Sequence, residues 1–141
     1  MRRYYEFALV VIVIGVASLF LMERLNAVRD EMEDATVQTE VASIRSQLLE
    51  VIAHRETFGG LLPNSENPVD WLAVPIPKYQ GAFDQAPEAT SVWYFDSQKK
   101  QLAYRFRDGH EARFRLNRNT GQGQNKGVFL GVSLQRLADQ P

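Results

Sequence analysis

The chain has 141 residues, of which 45% are hydrophobic and 23% charged, with a formal net charge of −1. That length holds one small domain and an appendage, and the composition excludes a wholly disordered or collagen-like chain. Without cysteine there is no disulfide scaffold, thiolate metal site or cysteine nucleophile, and two distant histidines, His54 and His110, argue against a histidine-rich metal centre.

The apolar residues are unevenly spread. Phe7 to Met22 reads FALVVIVIGVASLFLM, without a charge. As a helix it spans roughly 24 Å, a little short of the ~30 Å hydrocarbon core, and Tyr4 and Tyr5 extend it at one interface. A helix apolar on every side is hard to bury in so small a domain. Arg2 and Arg3 also suit the basic start of a signal peptide, but no small-x-small cleavage site follows. The expectation is a permanent anchor: residues 1–22 form a cytoplasmic tip and transmembrane helix. The positive-inside rule places the rest across the inner membrane, in the periplasm of a bacterium.

Residues 23–58 form the second segment. From Glu23 to Glu56 there is neither proline nor glycine. Leu25, Val28 and Met32 follow a 3–4 spacing, and Val37, Val41, Ile44, Leu48 and Val51 repeat it after a phase slip, which predicts an amphipathic helix. Gly59-Gly60 supplies its stop. Its charges, among them Glu40, read mostly as a solvated face. Leu25 to Met32 is expected to meet neighbouring subunits.

The third segment, residues 59–91, holds every proline except Pro141 and reads as a loop-rich connector. Within it Asn67 to Leu72 predicts one helical turn, with Asn67 as cap and Pro68 at the first position, and Trp71 and Leu72 pinning the connector to the helix. Residues 92–141 read as an antiparallel β head. Its strands are Val92–Phe95, Gln101–Arg107 and Glu111–Leu116, with a further strand at Val128–Leu134 beyond a loop at Asn117–Gly127. Alternation puts Leu102, Tyr104, Phe106, Ala112, Phe114 and Leu116 inward and Arg105, Arg107, Arg113 and Arg115 outward. The fold class is α+β: a long N-terminal helix packed on a small antiparallel sheet.

The stretch Glu6 to Gly15, EFALVVIVIG, resembles the N-terminal helix of type IV pilins and type II secretion pseudopilins, which carry a lone glutamate at the membrane edge and a glycine nine residues on. The later part, with NPVDWL, Tyr79-Gln80-Gly81 and SVWYFDSQKKQLAYRF, is similar to pseudopilin-like proteins of the mannose-sensitive haemagglutinin pilus type. The resemblance implies a pilin-like fold, other pilin-like subunits and assembly-platform proteins as partners beside the lipid bilayer, and subunit contacts at Glu6 and Gly15. Prepilins are cut after a leader ending in glycine, before a residue that is usually phenylalanine. Here Arg2 stands at that position, preceded by Met1, so prepilin-peptidase cleavage and N-methylation are not carried over from the resemblance.

No nucleophile–base constellation, phosphate-cradling glycine loop or metal-ligand spacing is present, and the loop Thr120–Gly127 lacks the carboxylates of a calcium site. The expectation is a non-enzymatic protein without cofactor or metal. Two features carry alternatives. Glu6 pairs either with the terminal amine of a neighbouring subunit, as the resemblance implies, or with Arg2 or Arg3 on its own helix. The face formed by Arg105, Arg107, Arg113 and Arg115 is a solvated sheet surface, a subunit contact or a site for nucleic-acid phosphates. The function classes that follow are a minor pilin-like or pseudopilin-like structural component, an inner-membrane-anchored DNA-binding receptor, or a bitopic scaffold of the assembly platform.

Overall fold

With one glycine and no proline between Arg2 and Phe58, nothing interrupts the backbone ladder, and the whole stretch is a single helix, α1 (Arg2–Phe58). This is seen in a computed structural model that describes residues 1–118 and 132–138. The helix stops where expected. Gly59 and Gly60 take positive φ of 76° and 119°, and the Gly59 N–H donates to the Arg55 carbonyl at 2.8 Å, satisfying one of the last free carbonyls. The chain divides into two compact units, Met1–Ala35 and Thr36 onward.

In the second unit the sheet has five strands: β1 (Tyr79–Phe83), β2 (Val92–Asp96), β3 (Gln101–Arg105), β4 (Glu111–Arg118) and β5 (Val132–Arg136), in that order across the sheet. β2 through β5 pair antiparallel, with Phe95 opposite Leu102, Leu102 opposite Phe114 and Leu116 opposite Leu134. β1 runs parallel to β2, so the sheet is mixed. It lies inside the segment expected to be a connector. Pro77, Gly81 and a register break between Tyr79 and Ala82 hide its alternation. The expected strand Val128–Leu134 corresponds to β5, which is described from Val132 onward. Residues 128–131 and most of the 117–127 loop, with Thr120–Gly127, lie outside the described residues. β3 ends at Arg105, because Phe106 already closes the next turn: its N–H donates to His110 and its carbonyl accepts from Gly109. Arg107 therefore sits in a turn and not on a strand.

The core lies between the inward sheet face and α1. Val37, Val41, Ile44, Leu48 and Ile52 are buried on α1, together with Trp93, Leu102, Tyr104, Phe114 and Leu134. The stripe follows the expected 3–4 spacing except at its end, where Ile52 takes the buried place and Val51 packs only partly. The connector joins the same core. Asn67 caps a 3₁₀ turn (Pro68–Trp71) by accepting from the Val69 N–H at 3.1 Å, which brings Trp71 into the apolar cluster with Val69 and Leu72 packed against it. The Trp71 indole N–H donates to the Ser65 carbonyl at 3.0 Å.

Neighbouring leucines on α1 test this arrangement, since Leu48 is 1% exposed and Leu49 63%. Leu48→Ala is expected to destabilise the second unit by about 2–5 kcal/mol, whereas Leu49→Ala changes stability by less than about 0.5 kcal/mol. Denaturant midpoints of the detergent-solubilised chain measure both.

Candidate functional site

Two places carry the residues singled out by sequence. The first is α1 within Met1–Ala35. Every residue from Met1 to Met32 is exposed there, including Glu6, Gly15 and the aliphatic run between them. Among the described residues α1 is the one helix long and apolar enough to cross a membrane. Its single hydroxyl in the apolar run is satisfied internally, Ser18 Oγ donating to the Ile14 carbonyl at 2.8 Å, an arrangement compatible with lipid surroundings. A Cβ added at Gly15 would meet nothing within 4 Å. Nothing among the described residues therefore asks for glycine at that position. Leu25, Val28 and Met32, 46%, 49% and 65% exposed, continue the apolar surface past Glu23.

The second place is the outward face of the sheet. Register puts Val92, Tyr94 and Asp96 of β2 beside Gln101, Ala103 and Arg105 of β3 and Glu111, Arg113 and Arg115 of β4. Arg105, Arg113 and Arg115 thus share a face as alternation predicts, but two of them serve the fold. Arg113 Nη1 donates to Asp96 Oδ2 at 3.0 Å and to Gln101 at 3.4 Å, and Nη2 donates to Glu111 Oε2 at 2.6 Å and reaches the Tyr94 hydroxyl at 3.4 Å. Arg105 Nη1 donates to the Pro87 carbonyl, while its Nε is buried without a partner. The segment 84–91 returns the chain from the end of β1 to the start of β2. Its bond to Arg105 ties it to this face, where Val92, Tyr94 and Ala103 are buried.

The ionisable groups of this network shift accordingly. Burial pulls the Asp96 carboxyl up, but the Lys99 N–H, the Arg113 guanidinium and the Gln98 N–H together outweigh it and hold the group below its usual range. Burial opposes the Arg113 charge too, yet Asp96, Tyr94 and Glu111 keep it raised. The Tyr94 phenol is pushed far up by burial and by the neighbouring Glu111 carboxylate, so it stays neutral. Tyr94, Asp96, Gln101 and Glu111 were not singled out from the sequence. Their positions at every second residue of paired strands are the signal that would have placed them around Arg113.

The histidines occupy ordinary settings. His110 stacks on Phe106 with ring centroids 4.0 Å apart and contacts Asp108, whose carboxyl is lowered first by the His110 backbone N–H. His54 lies 4.8 Å from the Phe58 ring. Among the described residues no three His, Asp or Glu side chains converge as metal ligands. Comparison with protein families, with curated proteins and with solved structures gives no match.

Because the Asp96 carboxyl titrates lower in the folded chain than in the unfolded one, its contribution is complete above the unfolded value of about 3.9 and fades as pH falls through the folded value. Asp96→Asn is therefore expected to lose about 1–3 kcal/mol near pH 7. The gap from the parent chain should narrow progressively below about pH 4. Unfolding titrations of both proteins across that range check the slope.

Proposed function

We propose that the protein is a non-enzymatic, membrane-anchored structural subunit of a pilin-like or pseudopilin-like assembly, of the kind that builds bacterial type IV pili and type II secretion machines. The observation that carries this reading is the contrast along α1. The stripe from Val37 to Ile52 is buried under the protein's own sheet, whereas the apolar residues from Phe7 to Met32 are exposed all round. Lipid satisfies such a surface as far as Met22. Leu25, Val28 and Met32 lie beyond the uncharged run and are satisfied by neighbouring helices. The α+β fold, with a long N-terminal helix on a small sheet, is compatible with the pilin-like architecture that EFALVVIVIG and NPVDWL resemble.

In this reading the amino terminus is cytoplasmic, with Arg2 and Arg3 on the inner side of the bacterial inner membrane, and the sheet unit is periplasmic. Partners are other pilin-like subunits and assembly-platform proteins. The arginine face supports the nucleic-acid alternative less well, since Arg105 and Arg113 already donate to acceptors of their own fold.

Reporter fusions placed after residue 60 are expected to show periplasmic activity; cytoplasmic activity overturns the topology. Glu6 tests assembly. Glu6→Ala should insert as well as the parent chain, because a polar group leaves the membrane edge. Its crosslinking to partners, normalised to inserted protein, should fall, because a charge-assisted contact in low dielectric is lost. Glu6→Gln should fall nearly as far. Parental crosslinking in both variants would make Glu6 a partner of its own Arg2 or Arg3 and favour the scaffold alternative.

A further inference from the structure

The acids of the outward face go to one arginine and leave another without a carboxylate. Arg105 ends β3 directly opposite Glu111 of β4, yet Glu111 accepts from Arg113 Nη2 at 2.6 Å, and Asp96 accepts from the same guanidinium at 3.0 Å. Arg105 takes a neutral acceptor instead, the Pro87 carbonyl, through Nη1. Its Nε–H is buried and meets no acceptor among the described residues. The neighbouring side chains on this face cannot supply one. Val92 lies opposite Arg105 on β2 and Ala103 precedes it on the same face of β3, both buried and both hydrocarbon. A buried donor without a partner is disfavoured, the more so on a charged group. Arg105 therefore keeps one open hydrogen-bonding edge, formed by Nε and the Nη2 beside it.

That edge is reachable. The segment 84–91 crosses the face as a strap, pinned at its ends by backbone bonds: the Ser97 N–H donates to the Phe83 carbonyl at 2.9 Å and the Ser91 N–H to the Arg105 carbonyl at 2.7 Å. Between them every residue from 84 to 90 except Pro87 is exposed, so lifting the middle of the strap uncovers little apolar surface. Arg105 itself is partly exposed, and a small ligand meets its guanidinium from solvent. The planar fork accepts a carboxylate through two parallel N–H bonds. Phosphate matches the same fork but brings more negative charge. Here Arg113 is already committed and Glu111 stands opposite, so one positive charge is on offer. Val92 and Ala103 suit a short hydrocarbon stem.

We infer that Arg105, under the strap 84–91, is a receptor for a carboxylate on a short aliphatic stem, held by Nε and Nη2 while Nη1 keeps the Pro87 carbonyl. Such a group comes from a glutamate side chain of a partner polypeptide or from a small free acid. The site lies within the sheet unit and does not depend on the assembly reading.

The test follows the Arg105 Nε–H by NMR in the full, isotope-labelled chain in detergent, its signal assigned by its loss in Arg105→Lys. Sodium propionate is expected to move that signal saturably. Propionamide, and sodium chloride at matched concentration, should not. Arg105→Lys keeps the charge and loses the fork, so its affinity for propionate, read at the Val92 and Ala103 amides, should fall at least about tenfold. Arg115→Lys, on the exposed part of the same face, should bind as the parent does. If Arg105→Lys loses its dispersed spectrum, the contrast between propionate and propionamide in the parent chain decides. Acetyl-Ala-Glu-Ala-amide acting at lower concentration than propionate supports the site and assigns it to a polypeptide; the reverse order supports it with a free acid as source. A response that does not saturate, that sodium chloride reproduces, or that is absent overturns the inference. Tighter binding of inorganic phosphate overturns the carboxylate as its ligand.

Discussion

Trp93 is fully buried, and an indole in that position must place its N–H against an acceptor. The acceptor is Glu40 Oε2, at 2.5 Å, on α1. This single requirement ties the helix to the sheet at a defined point. The apolar contact between Val37–Ile52 and the inward sheet face is large but non-directional, so by itself it leaves the helix able to slide or roll. Two further polar bonds complete the registration: Arg45 Nε donates to the Leu134 carbonyl at 3.2 Å, and Gln47 Oε1 accepts from the Val74 N–H at 3.0 Å. The three side chains hold α1 to β2, to β5 and to the connector. Around Trp93, Tyr104 and Phe114 pack with ring centroids 5.0 and 5.8 Å away, so the anchored indole also orders the aromatic layer of the core.

The outward face is ordered by charge where the inward face is ordered by size. Arg113 spans β2, β3 and β4 by touching Asp96, Gln101 and Glu111, and Asp96 in turn accepts from the Gln98 and Lys99 N–H groups of the following turn. A guanidinium shared by two carboxylates is nearly neutralised where it stands. A count of cations along the hairpin therefore overstates the field this face presents to a polyanion. The connector is held by a comparable device: Arg118 lies over the Trp71 ring, 5.1 Å from its centroid, and donates to the Pro63 and Ser65 carbonyls.

Much of this was legible in the residues because the signals are local. The helix follows from the absence of breakers and from a 3–4 stripe, the capped turn from Asn67-Pro68, and the central hairpins from strict alternation across short turns. What was not legible depends on partners far along the chain. Glu40 reads as one more acid on a solvated helix, and only Trp93, fifty-three residues later, makes it structural. Arg105 and Arg113 read as a basic surface until the pairing register brings Pro87, Asp96 and Glu111 to them. β1 escaped because a parallel strand next to β2 needs no hairpin signal, and Gly81 removes the side chain that would have completed its alternation.

That same strand bears on how the proposed membrane-anchored copies would share one surface. β1 is an outer strand of the sheet, and an unpaired edge is a template for adding strands from neighbouring molecules. On the proposed reading, tethering to a bilayer would confine copies to a thin layer and raise their effective concentration, which would favour such pairing. β1 is a poor template. Its register breaks between Tyr79 and Ala82, Gly81 sits at φ 118°, and Pro77 precedes it where a further donor would extend the edge. The bent edge discourages sheets from fusing side by side, and in the proposed assembly it would keep crowding from turning an ordered association into an aggregate.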